Sequence, residues 1–387
     1  MRSKINYCFI FILAELLISC TKISVQSPLD SCSKAIEKGT TYLIENQHPS
    51  GNWGSATRTK GLNIYAPIPG AHHGFKMAST ALCLSALLKL DSKNKKVGQA
   101  IIKATHWIIK EIPKVKRATP DVIYNIWAHA YTIETLIQLH QYYKSLKIDS
   151  YQLKIEKLIN HQIAMLYKYE VVDGGWAYYD FNIGSKKPAG SSSSFTTAAT
   201  LISLKYAEKN GYKINQKIIN RAIKALVRMQ KPDKSYLYGE YLKWRPMHPV
   251  NRPPGSLGRT QSCNLALYLW SHESIQEQHL LTGTDKLARK HYWLDAGRKT
   301  VVPHESFFAI AGYFYYHALY YGSKNLSHLP NLHKKRLSET FIKYLCKRQE
   351  KNGSWWDFPL YNYHQFYGTG YALSALIDCR KAQINNP

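Results

Sequence analysis

Acidic residues are scarce in this sequence. Of its 387 residues, 25 are Asp or Glu against 52 Lys or Arg, a formal charge of +27. Such a field favours anionic partners: lipid headgroups, acidic polysaccharide or nucleic acid. The basic residues are spread along the chain, however, and no Lys/Arg tract forms a nucleic-acid-binding arm, so nucleic acid is not expected as a partner. Long hydrophobic runs are also lacking. The apolar stretch from Cys8 to Ile18 is too short to span a bilayer, and nothing later approaches ~18 uninterrupted apolar residues. Cysteine is sparse and unpatterned, with no CxxC pair. Cys83, Cys263 and Cys346 fall in apolar helical patterns and read as buried thiols. Cys32 and Cys379 lie near the two ends of the fold, where a pairing is conceivable only if those ends meet. Strand signals are nearly absent, which leaves helices to build the core.

The N-terminus reads as an export signal. Arg2 and Lys4 form a short basic region ahead of the apolar run, which ends "LISC" at Cys20. That ending resembles a bacterial lipobox and predicts a lipid-modified Cys20 after removal of residues 1–19. An ordinary secretory cut a few residues later is the alternative. The first case gives an exported lipoprotein anchored to a membrane surface without spanning it. Residues 20–34 are expected to form a linker, and 35–387 a single domain.

Two classes of helical segment alternate beyond it. One is apolar nearly all round, with small residues mixed in. It includes "MASTALCLSALLKL" from Met77, "FTTAATLISLKYA" from Phe195, "RTQSCNLALYLW" from Arg259 and "YGTGYALSALIDC" from Tyr367. More degenerate members start at Tyr124 and Phe307. The other is amphipathic and lysine-bearing, with segments from Ala35, Ala100, Gln152, Ile218 and Arg336 and a weaker one from Glu277 to Lys290. About six buried helices thus alternate with about six half-wet ones. Hairpins that bury one face need neighbours, and an array can solve its end problem by closing into a ring. The expected fold is all-α, an (α/α)6 toroid.

The chain opens and closes on one pattern. It reads Tyr42-Leu43, Gln47, Gly51-Asn52-Trp53 near the start and Tyr344-Leu345, Gln349, Gly353-Ser354-Trp355 near the end. Partial copies occur at Gly174-Gly175-Trp176 and at Leu226 to Gln230, where Tyr236 stands for the Trp. Gln47, Trp53, Trp176, Gln349 and Trp355 read as structural repeat residues, with Trp supplying buried area. The pattern resembles the QW repeat of squalene–hopene and oxidosqualene cyclases, shared in weaker form by protein prenyltransferase beta subunits. The resemblance implies the toroid but not the chemistry. The cyclase Asp-x-Asp-Asp motif is missing, and Asp173 and Asp180 are isolated. Of the prenyltransferase zinc ligands, Cys263 is retained, but Gln261 and Gly368 stand at the other two positions. No metal and no cofactor are therefore expected.

In such a ring, ligands enter the cup where inner helices begin. Candidates there are His129, His304, Glu305 and Tyr313 for catalysis, because His with Glu or Tyr can do acid–base work near neutral pH. His72, His73, Tyr124, Arg259, Tyr316, His317, His364 and Tyr367 are the ligand-binding candidates. Aromatic walls suit a sugar, a carbocation or a cation alike. Three functions remain open: a binder or cyclase-like enzyme for an isoprenoid or other apolar ligand, a lyase or hydrolase of an acidic polysaccharide, and a non-catalytic interaction module.

Overall fold

The computed structural model describes residues 27–61, 66, 70–90, 94–119, 124–182, 184–188, 190–304 and 309–384. The export signal, Cys20 and Glu305 lie outside them. Among the described residues, twelve α-helices alternate between an outer and an inner ring. The outer six are α1 (Pro28–Glu45), α3 (Lys95–Glu111), α5 (Gln152–Lys168), α7 (Gln216–Arg228), α9 (Glu277–Lys290) and α11 (Asn331–Lys347). The inner six are α2 (Ala71–Leu88), α4 (Asn125–Ser145), α6 (Ser194–Lys209), α8 (Pro253–Leu269), α10 (Phe314–Asn325) and α12 (His364–Ile384). Each inner helix packs on the next, and α12 packs back on α2, so the ring is closed. This is an (α/α)6 toroid. Its first helix begins at Pro28 rather than Ala35, so part of the expected linker is helical.

Local chemistry sets the helix ends. The side chains of Ser27, Asn94 and Asn215 accept from the backbone N–H of Asp30, Lys96 and Lys217 and cap α1, α3 and α7. Inner helices bury many hydroxyls, and these return their protons to the preceding turn. Ser79 donates to the Phe75 carbonyl at 2.7 Å, Thr135 to Tyr131 at 2.9 Å and Thr200 to Thr196 at 3.0 Å.

The repeated pattern is a clip between neighbours. Gln47 Nε2 donates to the Gly51 carbonyl and, across to α3, to the Ala100 carbonyl, both at 2.9 Å. Gln349 Nε2 repeats this with Gly353 and with Ala35 of α1, again at 2.9 Å, which joins the end of the chain to its beginning. The indoles of Trp53, Trp176 and Trp355 are fully buried. Each donates to the carbonyl ten residues earlier, Leu43, Leu166 or Leu345, at 2.7–2.8 Å. Their backbone N–H groups donate to Thr80, Thr197 and Thr369 of inner helices. Gly353 has φ +89°, and a Cβ there would sit 2.5 Å from the Lys38 carbonyl of α1. Only glycine lets the turn approach its neighbour so closely. In the third clip Glu170 holds the Gln position, fully buried, and its carboxylate binds Arg221 of α7 at 2.5 Å and 3.0 Å.

The five described cysteines are free thiols. Cys32 and Cys379 are unpaired, which corrects the conceivable pairing. Cys32 Sγ instead approaches the Leu376 carbonyl of α12 at 3.7 Å.

Candidate functional site

A cavity of about 310 Å3 opens where the inner helices begin. Its wall is aromatic. Phe75 comes from α2, Trp127 and Tyr131 from α4, Phe195 from α6, Phe314 and His317 from α10, and Tyr367 and Tyr371 from α12. Loops add Tyr124, Tyr178, Tyr179, Tyr238, His304 and Tyr313. Tyr124 immediately precedes α4 in the left-handed region at φ 70°. A bulky residue adopts that conformation only where its surroundings enforce it. Here Tyr124 packs on Phe75 with ring centroids 4.7 Å apart.

Most of the hydroxyls around the cavity bind one another. Tyr178, Tyr238 and Tyr313 form a chain of phenols with both links at 2.7 Å. Tyr131 and Tyr371 form a second pair. Tyr367 donates to Asp357 Oδ1 at 2.7 Å. Asp357 is fully buried behind it, and its Oδ2 accepts from the Tyr316 N–H at 3.0 Å. Burial pushes the Asp357 carboxyl up to about 6 against the pull of these donors. Asp357 is therefore an acid one hydrogen bond behind the cavity wall.

Two imidazoles reach the cavity. His317 is buried, and neither ring nitrogen has a hydrogen-bond partner; the Gly258 carbonyl lies near without bonding geometry. Burial drives its pKa down to about 3, so the ring is neutral. A buried, unsatisfied polar ring costs stability unless something meets it. His304 faces Tyr238 edge-on with centroids 5.3 Å apart, and its Nδ1 meets the Ala309 carbonyl at 3.3 Å. Burial lowers its pKa too.

The expected site residues divide. His304, Tyr313, Tyr124, His317 and Tyr367 line the cavity. Glu305 is outside the described residues, and the remaining candidates are placed elsewhere. His129 is fully buried against α5, with Nδ1 on Gln162 Oε1 at 2.5 Å, and does not reach the cavity. Arg259 is fully buried behind Tyr238 and donates to the carbonyls of Tyr236, Gly255 and Val250 at 2.6–3.0 Å, so it holds loops. Tyr316 is buried with its hydroxyl on the Arg348 carbonyl side, and His364 binds the Tyr361 carbonyl at 2.6 Å. His72 bridges Tyr363 and the Ala66 carbonyl, and half-exposed His73 lies 3.7 Å from Glu111. Asp180 is held by Arg117 away from the wall. Sequence reasoning did not single out Trp127, Tyr131, Tyr178, Tyr238, Tyr371 or Asp357.

Among the described residues no carboxylate lines the cavity, and no group of three His, Cys, Asp or Glu is placed to hold a metal ion. The wall can stack on or enclose an apolar body. It offers hydrogen bonds through His317, His304 and the phenol chain, and one weak acid through Tyr367. The guanidinium of Arg259, 5.6 Å from the Tyr238 ring and without a carboxylate partner among the described residues, makes that side positive.

No family profile and no curated protein matches the sequence. Solved structures do. The chain is similar to a type II terpene cyclase, MstE, from Scytonema, at 13% identity with a TM-score of 0.51, covering 92% of this chain and 99% of that one. It is similar to the same degree to a polysaccharide lyase, at 13% identity and a TM-score of 0.51, with 92% and 98% covered. An α-mannanase of Bacteroides thetaiotaomicron matches at 11% identity and a TM-score of 0.47, with 91% and 95% covered. At these identities the likeness is one of fold, an α/α toroid shared by terpene cyclases and carbohydrate-active enzymes.

Proposed function

We propose that the protein binds a predominantly apolar ligand of isoprenoid type, bearing one polar group, in the aromatic cavity. The observation that carries this is how the wall uses its hydroxyls. Of the eight tyrosines on it, Tyr178, Tyr238, Tyr313, Tyr131, Tyr371 and Tyr367 bond to one another or to Asp357. With these hydroxyls satisfied inside the protein, the wall meets a ligand mainly with apolar ring surface. A sugar needs many hydrogen bonds and, for hydrolysis, two carboxylates across the bond to be cut. The wall supplies neither in quantity. An apolar ligand needs a dry, shaped surface with a few fixed polar points. His317 offers such a point, because neither of its buried ring nitrogens makes a well-formed hydrogen bond within the protein. The reading includes export and a lipid-modified Cys20, which would hold the cavity near a membrane source of such ligands.

Native mass spectrometry of the protein purified from its own membrane, with the bound fraction extracted and identified, tests this. A co-purifying isoprenoid or similar lipid supports the proposal. Its binding should quench the fluorescence of Trp127 and fall about ten-fold in His317→Phe, which removes one buried hydrogen bond. A bound acidic oligosaccharide would overturn it and favour the lyase reading, to which Arg259, His304 and the phenol chain would then contribute.

A further inference from the structure

The toroid has a second concavity at its other end, where the inner helices finish. A crevice of about 510 Å3 lies there. Six lysines face it: Lys89, Lys205, Lys209, Lys324, Lys334 and Lys381. Among the described residues two carboxylates do, Glu134 and Asp378. Three of the lysines are neutralised. Lys89 pairs with Asp378 at 2.7 Å, Lys324 with Glu134 at 2.6 Å and Lys205 with Glu208 at 2.6 Å. Lys209, Lys334 and Lys381 have no ion-pair partner among the described residues, and they stand around the same opening.

Helix ends explain part of this. Lys209 and Lys381 sit in the last turns of α6 and α12, where a cation offsets the negative pole of the helix. Lys334 has no such reason. It lies near the start of α11, where the positive pole opposes it, and makes only a 3.3 Å hydrogen bond to Asn331. The field of the cluster is felt locally. His328 on the same wall is held below its ordinary pKa, first by burial and then by Lys209 and Lys334. Gln138 also lines the crevice, and its side-chain oxygen is buried without a hydrogen-bond partner. Its oxygen and nitrogen ends are interchangeable, so it can donate to an anion. Ile202, Tyr206, Leu265, Leu269 and Leu326 add apolar surface to the wall, beside Ser323 and Ser327. A concave surface with apolar walls concentrates the potential of its charges.

We infer that this crevice is a binding site for phosphate-bearing organic anions. The phosphate would sit among Lys209, Lys334 and Lys381, and the organic body against the apolar wall. Lysine suits this as a compact charge with three donors. Two sources share the chemistry: the headgroup of an anionic phospholipid and a soluble organic phosphate. The site is separate from the aromatic cavity, so it stands whether or not that cavity holds an isoprenoid.

The test pairs two probes with two variants of the full chain. Inorganic pyrophosphate is titrated by calorimetry, and sedimentation is measured with phosphatidylcholine vesicles with and without phosphatidylglycerol, all at near-physiological salt. The crevice variant is K209E/K381E. The control is K217E/K224E, the same charge change on exposed positions of α7, because a chain of charge +27 attracts any anion weakly. The inference expects at least one probe to bind and the crevice variant to lose about ten-fold or more, against less than about two-fold for the control. Lys334→Gln should weaken the same probe while leaving the two rim lysines in place. Pyrophosphate binding alone identifies a soluble ligand, and vesicle binding alone a lipid. Failure of both probes, or equal losses in the crevice and control variants, overturns the inference.

Discussion

Replacing Asp357 by Asn should stabilise the protein above neutral pH and matter less in acid. The wild-type carboxyl titrates near 3.8 when unfolded and near 6 when folded, because burial disfavours its charge. Below about pH 4 it is neutral in both states and costs nothing. As pH climbs from about 4 to 6 the unfolded state ionises first, and folding loses stability. Above about 6 both states are ionised and the loss is complete. The difference between these two values corresponds to roughly 3 kcal/mol. Asparagine has no charge to bury and can keep the local bonds. Its oxygen can accept from the Tyr316 N–H. Its amide can donate to the Tyr367 hydroxyl, which then donates to the Phe358 carbonyl, already 3.1 Å away. The assay is urea unfolding of both proteins at several pH values. The variant should be more stable by about 3 kcal/mol near pH 8 and by about half that near pH 5. The difference is what must be read, because other groups titrate in the same window. A difference that does not change with pH, or a variant weaker than wild type near pH 8, would refute the reasoning.

Those other groups give a prediction of opposite sign. Burial depresses His129, His291 and His364 to about 4 and His317 to about 3. Their contribution is present above about 6.5 and is lost as pH falls towards those values, so the wild type should unfold in mild acid. His317→Phe removes one of these groups and should lower the acid midpoint seen by circular dichroism. Gln349→Ala strips the donor shared by the Ala35 and Gly353 carbonyls and should cost about 1–3 kcal/mol in urea unfolding. Gly353→Ala should cost at least as much, since it meets both the positive φ and the Lys38 carbonyl. A neutral result for either would mean that the clip is not needed to close the ring.

The sequence displays the ring more clearly than the site, and periodicity explains why. Outer helices have one wet face, so apolar spacing marks them, and α9 spans Glu277–Lys290 as read from the sequence. Inner helices are apolar all round, and no face can be told from another by composition. Trp127 faces the cavity, while His129, two residues later, is rotated about 200° and points at α5. Tyr313 and His317 are four residues apart and both line the cavity, whereas Tyr316 does not. The start of α10 also moved, from Phe307 to Phe314. Asp357 carries no local signature, because its partners Tyr316 and Tyr367 come from two other segments. One signal was legible in retrospect. Asp357 directly follows the Gly353-Ser354-Trp355-Trp356 turn, which the clip fixes against the start of α12 through Thr369.

The two ends of the toroid differ in chemistry because the fold makes them differ in polarity. Six helical hairpins repeat in one sense, so the inner helices begin together at one end and finish together at the other. Their positive poles gather around the aromatic cavity and their negative poles around the lysine crevice. At the first end, Arg259 adds to the positive potential, and Asp357, the carboxyl just behind the wall among the described residues, has its charge disfavoured by burial. A cationic ligand would be opposed there, and aromatic faces alone would have to outweigh that opposition. An apolar ligand with an acceptor group, such as a ketone, an ether or a hydroxyl, meets no such opposition. At the second end three of the six lysines are paired with carboxylates, and the negative poles offset part of the charge of the other three. The direction of the helices thus predicts an order of preference at the cavity, neutral acceptor above cation. Competition between a hydrocarbon alcohol and its ammonium analogue for Trp127 quenching would measure it, and tighter binding of the ammonium would show that the rings, not the helix poles, set the electrostatics of the site.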